Sequence, residues 1–549
     1  MHGLSEKNLD IFSKINYGLL IVMAIGLPVS KALTSIVPGL LLLSWLFEGQ
    51  FRQKFQQLKQ RRGILLLLSI FVLYVIGLSW TSSWQWGIHD VKIQLPLLIL
   101  PLVIGSTRPL NYREVKYLIY FFSAAVIVAS FCSIWVIMGF SGKHIQDPRE
   151  MSLFISHIRF ALLINIGIFA LGWYLFKRDE KGIIEKIFVS GAIVWLSIFL
   201  IILRSATGWV VFLLVLFAVT IYLVFLIRNL WVKIGLVTFL LCIILFPLGY
   251  IGYVFQQFYP VEKVPANSLQ QKTKLGNDYV HDLNNKELEN GHYTYLFMNE
   301  GELREAWAKR SSINYDSFTE GGFNRFVLIR YLTSKGFRKD AEGLEKLSDQ
   351  DIRNIENGMT NYRFADSFSF YKRIYQVIWE LDVYRKGGDP SGHSVSQRFE
   401  YYKMAIEIIK EDFWLGKGTG GYYPAYEEKY NQNQFFKGQE YRQRSHNMFL
   451  SYWIDFGLIG MCYICFALVA PVFAEHKTRS FLLLTFLLII FLSFLNEDTL
   501  NNHDAITFFS LFYPLYLCSK HEKPETKPQP NPLREGGCLA SEHSDSVDH

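Results

Sequence analysis

Residues 198–246 read IFLIILRSATGWVVFLLVLFAVTIYLVFLIRNLWVKIGLVTFLLCIILF, and this stretch decides the class of fold. Its charged residues are Arg204, Arg228 and Lys233, and they stand where one long apolar run gives way to the next. About 20 helical residues cross a hydrocarbon core of ~30 Å, so three membrane spans meet here, near 184–203, 207–227 and 233–255. Working outward adds spans near 16–30, 32–48, 64–80, 91–105, 116–138 and 154–176 on one side, and 447–471, 479–495 and 502–518 on the other. The reading is an all-α polytopic membrane protein with about 12 transmembrane helices. Pro28, Pro38, Pro96 and Pro101 predict kinked or tilted helices among the first four.

Composition agrees. Charged residues make up 19% of the 549, against roughly 25% in a soluble domain, and aromatics reach 16%. The charges are unevenly placed: residues 257–446 hold 27 Lys+Arg and 27 Asp+Glu, leaving 28 and 21 for the other 359 positions. A single soluble globule is excluded. A net charge of +7 spread over short loops also lacks the concentrated basic face that a nucleic-acid partner requires. With the N-terminus in the cytoplasm, the inner loops carry 16 Lys+Arg and the short outer loops 5, as the positive-inside rule demands. Both termini are then expected in the cytoplasm and 257–446 outside, as one large, mostly helical periplasmic loop. The expected division is 1–256 (spans one to nine), 257–446 (outer loop), 447–518 (spans ten to twelve) and 519–549, a Pro-, Glu- and Ser-rich cytoplasmic tail. The first apolar run lacks a small-residue cleavage site and reads as an anchor. The outer segment has no cysteine, and Cys462 and Cys465 form a C-x-x-C in an apolar helix, far from any βαβ pattern that would make it a redox site.

Within the outer segment, runs at 302–310, 322–335, 340–357 and 364–386 have helical spacing. From Ser396, the residues Phe399, Tyr402, Ile406 and Ile409 predict a helix with one apolar face, starting beside Arg398. LGKGTGGYY at 415–423 follows, where Gly418 and Gly420 can take positive φ, either as a plain turn or against a ligand.

Residues able to carry chemistry gather on the outer side. Arg204 closes an apolar run, at a depth that costs ~2.5–3.5 kcal/mol unless offset. His157 and Arg159 open the sixth span, His446 stands where the chain re-enters the membrane, and Glu497, Asp498, His503 and Asp504 occupy the final outer loop. Singly, each has an ordinary reading: snorkelling, a helix start or a polar turn. Together they describe a site for an anionic, membrane-attached substrate.

The arginine closing a span (Arg204), the stretch QRFEYYKMAIEIIKEDFWLGKGTGGYYPAY with Arg398, and HNMFL with Leu450 four and Gly457 eleven residues after His446 resemble the O-antigen ligase and polymerase superfamily. SHIRF at 156–160 and NEDTL at 496–500 add to the likeness. Phe413 stands where many members have proline, and the outer loop is longer than usual. The resemblance implies a C-type glycosyltransferase-like fold in the bacterial inner membrane. It implies glycan transfer from an undecaprenyl-pyrophosphate-linked donor to a hydroxyl of a lipid A-core acceptor, metal-independent and inverting, with no cofactor. On this reading Arg204 and Arg398 neutralise the pyrophosphate and His446 is the general base. His157, Arg159, Asn447, Gly418, Gly420, Glu497 and Asp498 are the expected substrate-binding or orienting residues, and no metal is expected. Within the family the alternatives are an O-antigen polymerase and a protein O-oligosaccharyltransferase. Outside it the rival is a polysaccharide transporter or flippase, against which stand the absence of a two-fold repeat and the clustering of polar residues at one surface.

Overall fold

A computed structural model describes residues 6–140, 142, 148–177, 182–259, 269–318, 322–365, 371–433, 435–436, 438 and 441–519. Most of the expected tail therefore lies outside the described residues. The first part is a run of helices: α1 (Glu6–Val29), α2 (Lys31–Glu48), α3 (Phe51–Gln60), α4 (Arg62–Ile76), α5 (Trp84–Ile93), α6 (Leu95–Ser106), α7 (Tyr112–Ile137), α8 (His157–Phe176), α9 (Ile183–Ile202), α10 (Ala206–Leu226) and α11 (Leu230–Phe258). The last part is α19 (Met448–Ala474), α20 (Phe481–Phe494) and α21 (His503–Cys518). Between them lie a two-residue hairpin, β1 (Leu288–Glu289) with β2 (His292–Tyr293), and helices α12 (Glu300–Arg310), α13 (Arg325–Ser334), α14 (Ala341–Glu345), α15 (Asp349–Glu356), α16 (Tyr371–Arg385), α17 (Ser396–Glu411) and α18 (Tyr422–Gln432).

The chain is a multi-pass, all-α membrane protein. Among the described residues ten helical segments are long and apolar enough to cross a membrane. Of the twelve expected spans, the last two are shorter than read, 14 residues in α20 and 16 in α21. The fourth begins earlier, at Trp84, and breaks at Gln94, because Pro96 lacks an N–H and fits only the first turn of a new helix. Gln94 donates to the Leu500 carbonyl at 2.8 Å. The loop between α20 and α21 is thus sunk to the level of the break in the Trp84–Ser106 span.

Burial grades across the bundle. Phe160 to Leu171 of α8 are buried without interruption, whereas the most apolar window of α11 has no buried residue and faces outward. With 29 residues α11 is about 43 Å long, more than a ~30 Å core needs. Its surplus turns carry Val254 and Phe258 out of the bundle, where Phe258 packs edge-on against Tyr375 of α16.

At the end of the bundle where α1 begins, basic side chains close helix C-termini. Lys54 donates to Trp45 O, Arg61 to Ile104 O and Gly105 O at 3.1 and 2.8 Å, and Lys477 to Ser519 O at 3.0 Å. Each supplies a donor to orphan carbonyls at the negative end of a helix dipole.

In the large loop, α12, α13 and α15 share a core around Trp307, Leu328, Leu332 and Ile355. Glu289 in β1 is fully buried, paired with Arg330 and bonded by Asn361 at 3.1 Å. The helix expected after Ser396 is α17, and of its expected apolar face Ile409 is buried, but the main buried face is another. Tyr401, Met404, Ala405 and Ile408 point inward, while Phe399 and Ile406 are 47% and 48% exposed. The inward face packs on the tyrosines of α18; its residues also recur at helical spacing, so α17 offers two apolar stripes and the contact with α18 selects one.

Candidate active site

The sunken loop 495–502 is the hub of the site. Glu497 lies 3.5 Å from an Arg398 guanidinium nitrogen and 3.7 Å from His446 Nδ1. Asp498 accepts the His446 backbone N–H at 3.0 Å and the hydroxyls of Ser451 and Ser445. Asn496 accepts from Arg398 and donates to Thr207 in the first turn of α10. The Leu495 carbonyl takes the Asn447 amide at 3.3 Å and the Tyr402 hydroxyl at 3.4 Å. Burial pushes the Tyr402 phenol up, with Arg398 opposing, so it stays a proton donor.

His446 has φ 52°, a left-handed conformation that a residue with a Cβ adopts only when its surroundings hold it. Here the Asp498 carboxylate fixes its N–H, and the next residue, Asn447, caps α19 by accepting from Phe449 and Leu450 at 3.0 and 3.2 Å. Its Nδ1 is sealed from solvent, and the ring stays 27% exposed through its other atoms. A proton exchanged with a substrate would therefore pass through Nε2.

Arg204 is a second non-glycine residue with left-handed backbone, φ 51°, in the break between α9 and α10. Ser205 then caps α10, and Gly208 lies against Ala161 so closely that a side chain there would collide with it. Asn165 ties the same helices by donating to Ala161 O and Gly208 O. Arg204 is exposed, and Arg398 reaches its neighbourhood through the Asn496–Thr207 bond. His157 starts α8. Arg159, one turn in, faces Asp504 at 3.9 Å. The four polar residues between α20 and the first turn of α21 thus separate: Glu497 and Asp498 serve Arg398 and His446, Asp504 serves Arg159, and His503 opens α21. No group of three metal-ligating side chains forms among the described residues.

The glycine stretch is a clasp. Gly416, Gly418 and Gly420 all have positive φ, and each presses backbone against backbone: Gly416 on Gly457 and Ile454, Gly418 on Thr81 and Gly77, Gly420 on Gly87 and Trp86. Lys417 and Gly418 donate to Ile454 O and Asp455 O at 2.8 Å each, and Thr419 to Gly77 O at 3.1 Å. Gly457, φ 65°, kinks α19 to make room. These contacts lock the loop domain to α4, α5 and α19, so the N–H of Gly418 is already committed.

The sequence reading missed several members of this assembly. Buried Asp455 accepts the Tyr422 N–H at 3.1 Å, and the Tyr422 hydroxyl accepts the Ser445 N–H one residue before His446. Arg444 lies 4.4 Å over Tyr423, which stacks on Trp86 at 3.9 Å. Asp455, a lone acid inside an apolar run, was a visible signal. Asn496 stands in the NEDTL stretch, where the acidic neighbours and not the amide drew the reading.

Residues 356–465 match the family model described as O-antigen ligase. The matched stretch includes Arg398, the glycine clasp, His446 and Gly457, and it ends before Glu497. No curated protein matches the chain.

Proposed function

We propose that the chain transfers a glycan from an undecaprenyl-pyrophosphate-linked donor to a hydroxyl of a lipid A-core sugar, a reading supported by the match of residues 356–465 to the O-antigen ligase family model. The observation that carries the reading is the convergence of Arg398, Glu497, Asp498 and His446 on one sunken loop, beside the helix that Arg204 opens. The donor's pyrophosphate lies along Arg398 and Arg204, whose guanidinium groups stay charged and bind phosphate oxygens in pairs. The acceptor hydroxyl oxygen attacks the anomeric carbon from the opposite face while the C1–O bond to phosphorus breaks. Its proton goes to His446 Nε2, and the bond electrons leave with the pyrophosphate, held by the arginines. Glu497 and Asp498 set the ring and backbone of His446, Asn447 fixes the start of α19, and His157 and Arg159 line the sugar side. Gly418 and Gly420 act through shape, by holding the loop domain on the bundle. In this reading the active end faces the periplasm and both chain ends lie in the cytoplasm, in agreement with the 16-to-5 excess of Lys+Arg in the inner loops.

The lipid profile of a deletion strain tests this. Free core together with accumulated lipid-linked long glycan is expected. Core capped by a single repeat would make the protein a polymerase instead, and transbilayer glycan movement without new glycosidic bonds in liposomes would make it a transporter.

A further inference from the structure

Arg444 stands two residues before His446, and the transfer chemistry does not use it. Its guanidinium lies 4.4 Å over the ring of Tyr423, which stacks on Trp86 of α5 with ring centres 3.9 Å apart. The stack holds one face of the guanidinium and leaves the N–H donors at its edge free to point elsewhere. Among the described residues no carboxylate comes within 4 Å of those donors, and no acceptor takes a hydrogen bond from them. Trp86 is 38% exposed, so the aromatic base of the stack is open to a ligand.

The complementary group is on the same helix. Asp90, one turn beyond Trp86, is 7% exposed, and its carboxylate takes no hydrogen bond among the described residues, although its oxygens are not sealed from solvent. Arg444 is near enough for its charge to act on Asp90 and on buried Asp455, yet no ion pair closes. A fork of donors and an acceptor carboxylate thus stand close without meeting. A simple anion between them would meet Asp90 and Asp455, and a simple cation would meet Arg444. A neutral ring whose hydroxyls both donate and accept, with an apolar face for Trp86, suits all of them, and that is the chemistry of a hexopyranose.

Position separates this place from the donor's. Arg398 is tied through Asn496 to Thr207 of α10, which packs among α8, α9, α11 and α20, whereas Trp86 and Asp90 belong to α5, which packs on α4 and α6. His446 joins the two sides, meeting Glu497 on the Arg398 side and following Arg444 in the chain. With the pyrophosphate along Arg398, the attacking hydroxyl arrives from the Arg444 side.

We propose that Arg444, Asp90 and Trp86 form the subsite for the acceptor sugar. Arg444 donates to one hydroxyl oxygen, a neighbouring hydroxyl donates to Asp90, and the C–H face of the ring lies on Trp86. The assignment to the acceptor rests on the glycan-transfer reading, but the binding itself needs no turnover.

The test therefore measures binding. The full chain in nanodiscs is titrated with core oligosaccharide released from lipid A, read by saturation-transfer NMR, and in parallel with undecaprenyl pyrophosphate, read by the shift in melting temperature. The unaltered chain should bind both. Arg444→Met and Asp90→Asn should each weaken the oligosaccharide about tenfold and leave undecaprenyl pyrophosphate unchanged. No oligosaccharide binding to the unaltered chain, or an unchanged affinity in the two variants, would overturn the proposal. Should either variant lose both ligands, Trp86→Leu at its exposed position decides: loss of the oligosaccharide alone supports the subsite, and any other result sinks it. Oligosaccharide binding as described in a chain that transfers nothing would defeat the transfer reading and leave the subsite standing, whereas transfer with unchanged oligosaccharide affinity in the variants would do the reverse.

Discussion

Glu497 faces His446 across 3.7 Å while its other oxygen lies 3.5 Å from Arg398. One carboxylate therefore touches both the proposed base and one of the proposed phosphate-binding cations. In the proposed transfer this carboxylate would stabilise the imidazolium formed as His446 takes a proton and hold the Arg398 fork for the donor.

Replacing His446 by alanine should lower turnover by ~10²–10⁴-fold, the usual contribution of general acid–base catalysis, while donor binding changes little. The measurement is a single-turnover rate set beside a donor-binding isotherm. A His446→Ala variant that keeps the unaltered rate would remove the base role from this residue.

Glu497→Gln keeps the size of the side chain and removes its charge. The imidazolium formed during transfer loses a neighbouring anion, and the single-turnover rate should fall about tenfold. A rate that stays unchanged would show that Glu497 serves Arg398 alone.

Arg398→Lys preserves charge but not the fork that meets Asn496 and Glu497 together. Donor affinity should fall by about tenfold and recover only in part at high donor concentration, and Arg398→Ala should be worse. Arg204→Lys should behave alike if both cations hold one pyrophosphate. An Arg204→Ala, Arg398→Ala double variant with full activity would refute the shared role.

How much of this was legible follows from the range of each signal. Apolar runs such as 207–227 are local and long, so α10 was read almost to the residue. HNMFL and NEDTL were likewise visible as motifs, because each packs its polar residues into a few positions. What the sequence withheld is pairing across distance. The buried side of α17 is set by tyrosines of α18, and the bond from Asn496 to Thr207 crosses 289 residues. Gly418 reads the same whether it approaches a ligand or the backbone at Thr81, since both demand the absence of a Cβ.

In the loop domain, Asp351 supplies a pH-dependent element. Burial alone would raise its carboxyl, but hydrogen bonds from Lys335, Tyr331 and Ser348 outweigh it and bring the pKa down to about 2 from 3.8. The folded value lies below the unfolded one, so the stabilisation is complete above about pH 4 and is lost as pH falls toward 2. The shift corresponds to roughly 2 kcal/mol. Asp351→Asn should therefore weaken α13 and α15 by about that amount at pH 7, read as faster amide exchange, and the difference from the unaltered chain should narrow as the pH approaches 2.

The clasp gives the last prediction. Gly457 has φ 65°, and a Cβ there would run into the Trp414 carbonyl and the Leu415 nitrogen, backbone atoms that cannot swing aside. The same step carries the hydrogen bonds from Leu458 N to Phe413 O at 2.9 Å and from Lys417 N to Ile454 O at 2.8 Å. Gly457→Ala combines a strained φ with overpacking, and should cost more than about 3 kcal/mol. The damage should centre on the junction of α19 with the glycine stretch, since that is where the Cβ intrudes. Limited proteolysis near Lys417 should accelerate, and transfer should fall because the loop domain that carries Arg398 no longer rests on the bundle that carries Glu497. Gly249→Ala in α11 is the matched control: nothing lies within 4 Å of the added carbon, and stability and transfer should both remain as in the unaltered chain. A Gly457→Ala protein that resists protease and transfers glycan normally would mean that the close approach is incidental to the site.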